Sequence, residues 1–79
     1  MNEKFIKILS EVFSIPLEEI NPSLSQKDID NWDSLKQMDL ILSLEKEYNI
    51  TLGITDIQKM ISVKGIITVL KDKGIKVED

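Results

Sequence analysis

Residues 34–48 read SLKQMDLILSLEKEY. On a helical wheel with Leu40 at zero, Leu44 lies at about 40°, Tyr48 at about 80° and Ile41 at about 100°. These four make a stripe that can face a core. Leu35 at about 220°, Leu42 at about 200° and Met38 at about 160° make a second stripe, well away from the first. A surface helix of a small bundle needs only one apolar face. The second stripe, flanked by Asp39 and Lys46 with Glu45 close by, admits two readings. It packs under the rest of the chain, near Trp32 or Ile57, or it receives a partner, with apolar contact for affinity and charge for steering. Asp33 or Ser34 stands where an N-cap is wanted, and Asn49 can end the helix.

Upstream, the spacing predicts a helix over about Glu3 to Phe13. Phe5, Leu9, Val12 and Phe13 share one face, widened by Ile6. Ile15-Pro16 stops it, because the residue before proline is pushed out of helical geometry. A long connection from about Ser14 to Asp33 holds both prolines and a stretch around Glu18–Asn21 able to form a helical turn. Leu17, Ile20, Leu24, Ile29 and Trp32 can pin this connection to the core. Downstream, a short helix over about Thr55 to Met60 carries a Thr55/Gln58 capping pair. A last helix starts after Ser62, with Val63, Ile66, Ile67 and Leu70 on one face, and stops at Gly74. The tail IKVED is expected to fray. Strand signals are confined to the short NITLGIT stretch. The fold class is all-α: a small four-helix bundle, three main helices plus a short third, with a long loop between the first and second. One domain spans residues 1–79.

Composition narrows function by exclusion. The 79 residues include no Cys and no His, and every basic residue is Lys. Without these side chains there is no Ser-His-Asp or Cys-His nucleophile, no imidazole or thiolate metal ligand and no arginine fork for phosphate or guanine. No catalytic residue is assigned, and an enzyme of the common types is not expected. The net charge is −4. Residues 11–57 hold ten acids against three lysines, a net of −7, which repels nucleic acid and anionic lipid and attracts basic protein surfaces. No segment has the length and apolarity of an export signal or a membrane span, so a cytoplasmic protein is expected. Asp28, Asp30 and Asp33 imitate the start of a calcium-binding loop, but Trp32, Asp33 and Asp39 occupy the positions that need an oxygen ligand, Gly and Glu. No metal site is expected.

Ser34 opens the second helix, and a helix N-terminus favours an anion such as a phosphate ester. Taken alone, Asp33-Ser34-Leu35 reads as a helix cap. In its setting it means more. The stretch DIDNWDSLKQMDLILSLEKEYNI, inside this order of helices and loops, resembles the acyl carrier protein family over nearly the whole chain. Asp33-Ser34-Leu35 matches its attachment motif, and Leu44-Glu45-Lys46-Glu47-Tyr48 its acidic helix end. Thr55-Asp56-Ile57 and Ser62-Val63 resemble its third helix and the start of its fourth.

The resemblance implies a carrier of acyl thioesters on a 4′-phosphopantetheine arm derived from coenzyme A. Ser34 is the implied attachment point and Asp33 its motif neighbour. Leu35, Met38, Asp39 and Leu42, with Glu45 beside them, are implied docking positions. The implied partners are a phosphopantetheinyl transferase, an acyl-loading ligase or transferase, and acyl-processing enzymes with basic docking patches. A monomer is expected, with no nucleic acid or membrane among its partners. The arm would bring the thiol that this chain lacks. Lys36 stands where fatty-acid-synthesis carriers usually have an acid, Lys46 interrupts the acidic end, and Trp32 replaces a small or polar residue. Trp32-Asp33-Ser34-Leu35 looks more like stand-alone carriers of dedicated pathways than the housekeeping fatty-acid carrier. Aminoacyl (such as D-alanyl) or peptidyl carriers remain alternatives. So does an unmodified helical adaptor that uses the second stripe alone.

Overall fold

Helix α1 (Glu3–Phe13) begins at Asn2, whose side-chain oxygen accepts the Phe5 N–H at 2.9 Å. This satisfies one of the amides that a helix N-terminus leaves without a partner. Phe5, Leu9, Val12 and Phe13 are all buried, as their spacing requires. The helix ends at Phe13, where the spacing placed it, but Ile15-Pro16 is not what ends it. Ser14 takes the left-handed conformation (φ 56°), and the N–H groups of Ser14 and Ile15 both return to the Ser10 carbonyl. Ile15-Pro16 then only prevents continuation.

The computed structural model describes residues 1–78. After α1 come a 3₁₀ turn at Leu17–Glu19, α2 (Ser34–Tyr48), a short α3 (Ile54–Lys59) and α4 (Val63–Asp72). The described residues contain no strand, only an isolated antiparallel bridge between Ser25 and Ser62. No helix among them is long and apolar enough to cross a membrane. Asn49, left-handed at φ 53°, ends α2 as expected. Helix α3 starts a residue earlier than predicted, and its cap is not the Thr55/Gln58 pair. The Asp56 carboxylate accepts the N–H of Gly53 at 3.0 Å and pairs with Lys73 Nζ, also at 3.0 Å. This ties α3 to the far end of α4. Donation from Gly53 is the main reason that the Asp56 carboxyl is held below its ordinary range, with Lys73 next.

The long connection is stitched to the start of α4. Its first-turn amides, which have no partner within the helix, find loop acceptors. Val63 N–H donates to Leu24 O at 2.8 Å and Lys64 N–H to Pro22 O at 3.1 Å, while Ser62 Oγ accepts the Gly65 N–H at 3.0 Å. Gln26 N–H returns to Ile61 O at 3.1 Å. Ile20, Ile29 and Trp32 are buried and Leu24 packs against the core. Leu17 does not join them; it sits on the exposed 3₁₀ turn.

One apolar cluster joins α1, α2 and α4 through Phe5, Leu9, Leu40, Leu44, Val63, Ile66 and Leu70, takes in Met60 just past α3, and receives the partly buried Ile57 of α3. Gly74 ends α4 at φ 85°, where a side chain would be strained, and Ile75 N–H donates back to Leu70 O at 2.8 Å. The tail beyond it does not fray over residues 75–78. Val77 is fully buried, and its carbonyl accepts the Asn2 N–H at 2.8 Å. Asp79, the last residue of that segment, lies outside the described residues.

Candidate functional site

The turn into α2 settles which residue is the cap. Asp33 is extended (φ −107°, ψ −168°), and its Oδ1 accepts the Lys36 N–H at 3.0 Å. Its own carbonyl takes the first intrahelical bond, from Gln37 N–H at 2.8 Å. Ser34 is therefore the first helical residue. It is exposed, and the capping task falls to its neighbour. A hydroxyl at this place sits beside unpaired backbone amides and the positive end of the helix dipole, surroundings that favour an attached anion.

Trp32 anchors the approach to Ser34. Its ring lies 4.5 Å from that of Phe13, tilted by 41°, and Asn31 Nδ2 donates to the Phe13 carbonyl at 3.3 Å. The indole N–H donates to Gln37 Oε1 at 2.6 Å, and Gln37 Nε2 donates in turn to Met60 O at 3.2 Å. One amide thus links the loop, α2 and the end of α3. Sequence reasoning missed Gln37. The signal was there: at about 60° it is a polar residue on the core-facing side of α2, between Leu44 and Tyr48.

The two stripes of α2 separate as the wheel requires. Leu40, Ile41 and Leu44 are buried and Tyr48 is half-buried. Leu35, Met38 and Leu42 are 78%, 54% and 57% exposed, so they do not pack under the loop. Asp39 is exposed and lines a groove between α1 and α2 together with Lys36, Lys46 and Glu11. Glu45 stands apart from the other candidate docking residues. It is half-buried, and its carboxylate accepts the Leu52 N–H at 2.9 Å, bracing the loop after α2. Ile54 and Ile61, at either end of α3, add exposed apolar surface that the sequence reading did not single out. The three loop aspartates do not act as one group. Asp28 accepts from the Ser25 amide and hydroxyl, Asp33 caps α2, and Asp30 is exposed.

Comparison with known proteins agrees with this arrangement. Residues 3–70 match the family described as the phosphopantetheine attachment site. The chain is 32% identical over 73 residues to the acyl carrier protein of Nitratidesulfovibrio vulgaris (strain DSM 19637 / Miyazaki F), spanning 92% of this chain and 96% of that one. It is 30% identical over 76 residues to the acyl carrier protein of Buchnera aphidicola subsp. Schizaphis graminum (strain Sg), spanning 96% of each. The residues present suit such an arm: an exposed serine at a helix start, a neighbour that leaves its hydroxyl available, and no cysteine in the chain to compete with an imported thiol.

Proposed function

Since this chain belongs to the acyl carrier protein family, whose members are carriers rather than enzymes and use 4′-phosphopantetheine, we propose that Ser34 bears the arm and that the loaded protein serves a dedicated biosynthetic pathway. The observation that carries the first half is the division of labour at the start of α2, where Asp33 caps and Ser34 stays exposed. In loading, the Ser34 oxygen bonds to the phosphorus that bears the pantetheine in coenzyme A. The pyrophosphate link breaks, the nucleotide half leaves, and the hydroxyl proton is lost. The arm supplies a terminal thiol on which an acyl group is held as a thioester.

Docking is assigned to Leu35, Met38, Asp39 and Leu42, with a smaller share for Glu45 because its carboxylate is already engaged. The partners are a phosphopantetheinyl transferase, an acyl-loading enzyme and acyl-processing enzymes with basic patches. These contacts are small and short-lived, since a carrier must leave each partner. A dedicated pathway is favoured by Lys36 and Lys46, which dilute the acidity of α2, and by Trp32 at the approach to the serine. The protein works as a single cytoplasmic domain and a monomer. Intact mass after incubation with coenzyme A and a broad-specificity transferase tests the reading. One phosphopantetheine is expected on the native chain and none on a folded Ser34→Ala variant. A folded native chain that gains nothing, or a variant that gains as much, overturns it.

A further inference from the structure

A carrier of this size either admits its acyl chain between the helices or leaves it outside. The seam beside Ser34 decides which. On the wheel of α2, Ser34 lies at about 120°, between Gln37 at about 60° and Met38 at about 160°. An arm on Ser34 therefore hangs along the side of α2 where Gln37 meets Met60 at the end of α3. That seam is closed by polar bonds as well as by packing. The Gln37 amide uses its oxygen for the Trp32 indole at 2.6 Å and its nitrogen for the Met60 carbonyl at 3.2 Å, both part-buried. Trp32 is 6% exposed and rests on Phe13, and the Met60 side chain is fully buried. Behind them Leu40, Leu44, Val63 and Ile66 are fully buried. Grooves among the described residues lie between α1 and α2, under the tail and along the loop.

Parting α2 from α3 at this point would break the Gln37–Met60 bond, while the Trp32 indole holds the same amide in place from the loop side. It would leave the part-buried Met60 carbonyl without its protein partner. We propose that Trp32 and Gln37 form a polar latch that bars the acyl group from the core. This carrier then presents its cargo exposed, a mode suited to acyl groups short or polar enough to remain in water. The inference rests on Ser34 as the attachment point.

The test uses acetyl- and octanoyl-coenzyme A as donors for a broad-specificity transferase, with intact mass to verify each loaded form. The six extra carbons of octanoyl stabilise the protein only if they are buried. The native chain is expected to melt within about 1 °C in the two forms. Its octanoyl thioester should be cleaved by hydroxylamine at the rate of free octanoyl-pantetheine, within about twofold. In Gln37→Leu, which removes both bonds, the octanoyl form should melt about 4 °C or more above the acetyl form and resist hydroxylamine. Gln37→Ala, which also removes both bonds, provides the same comparison if the first variant folds poorly, and Trp32→Phe, which removes only the indole bond, should show a smaller shift in the same direction. A native octanoyl form that is stabilised and protected overturns the latch. Variants as indifferent to chain length as the native protein overturn its assignment to these two residues. A native chain that accepts no arm overturns the attachment reading, and this inference with it.

Discussion

Gly65→Ala is a substitution for which local and tertiary physics give opposite signs. Gly65 sits in the first turn of α4, and alanine there improves helix propensity by about 1 kcal/mol. A Cβ on Gly65 would lie 2.2 Å from the Lys59 carbonyl oxygen and 3.3 Å from both the Lys59 carbonyl carbon and Ser62 Oγ. The first contact falls more than 1 Å inside the optimum of about 3.5 Å and meets backbone, which cannot rotate away. Lys59 is the last residue of α3, so relief must push the α3 terminus off α4 and move Met60 with it. Overpacking of this kind costs about 1–3 kcal/mol, and disturbing the Gln37–Met60 bond adds about 0.5–1.5 kcal/mol. After the propensity gain is subtracted, we expect a net loss of about 0.5–3.5 kcal/mol, centred on about 2 kcal/mol. For a domain this small the central figure is a fall in Tm of about 8–16 °C. Thermal melting followed by circular dichroism, with urea unfolding to check that the m-value is unchanged, measures it. A variant as stable as the native chain would mean that α3 and α4 separate freely, and the close approach would have no energetic weight.

Further outcomes are expected at four other residues. Asp33→Ala should cost about 1 kcal/mol by removing the acceptor for Lys36 N–H, while Asp33→Asn keeps an acceptor and should lose much less; equal losses in chemical denaturation would refute the capping role. The Tyr48 hydroxyl is buried without a partner, so Tyr48→Phe should gain about 1 kcal/mol. Burial and then Glu47 push the Tyr48 pKa up; native stability should therefore decline as pH rises past the ordinary tyrosine value, a component that the Phe variant lacks in alkaline unfolding curves. Asp56 titrates below its ordinary value, so its contribution is present above the unfolded aspartate pKa and lost as pH falls through the folded one. Melting between pH 6 and 2 should show a smaller acid loss in Asp56→Asn. Asp39→Lys should leave the fold intact and lower kcat/KM with the transferase by about three- to tenfold at low salt, and rates equal to native at every ionic strength would sink the steering idea.

Elements built on period were legible in the sequence. The face of α1, both stripes of α2 and the face of α4 follow from local spacing, and burial matches them except at the edges, where Ile6 and Tyr48 are half-buried. The candidate serine and its neighbours were singled out from one continuous segment, but which of Asp33 and Ser34 caps the helix was visible only in the structure. What escaped were contacts between residues far apart in the chain. Val77 has only Ile75 as an alternating companion in a very short segment, so nothing local announces that its carbonyl will hold Asn2. Asp56, which caps α3, also pairs with Lys73, which only the packing of α4 brings near. Leu17 looked like a core anchor by type, yet the 3₁₀ turn leaves it exposed. Gln37 is the instructive case, because its meaning lies in two partners, five residues before it and 23 after it.

Trp32 is the only tryptophan in the chain, and its indole stands two residues from Ser34 with its N–H engaged and its ring against Phe13. The emission of an indole responds to the polarity around it and to the loss of such a bond. The protein therefore carries a built-in optical probe beside the serine proposed to bear the arm. Each arrival and departure there can be followed in real time by intrinsic fluorescence, with no label attached.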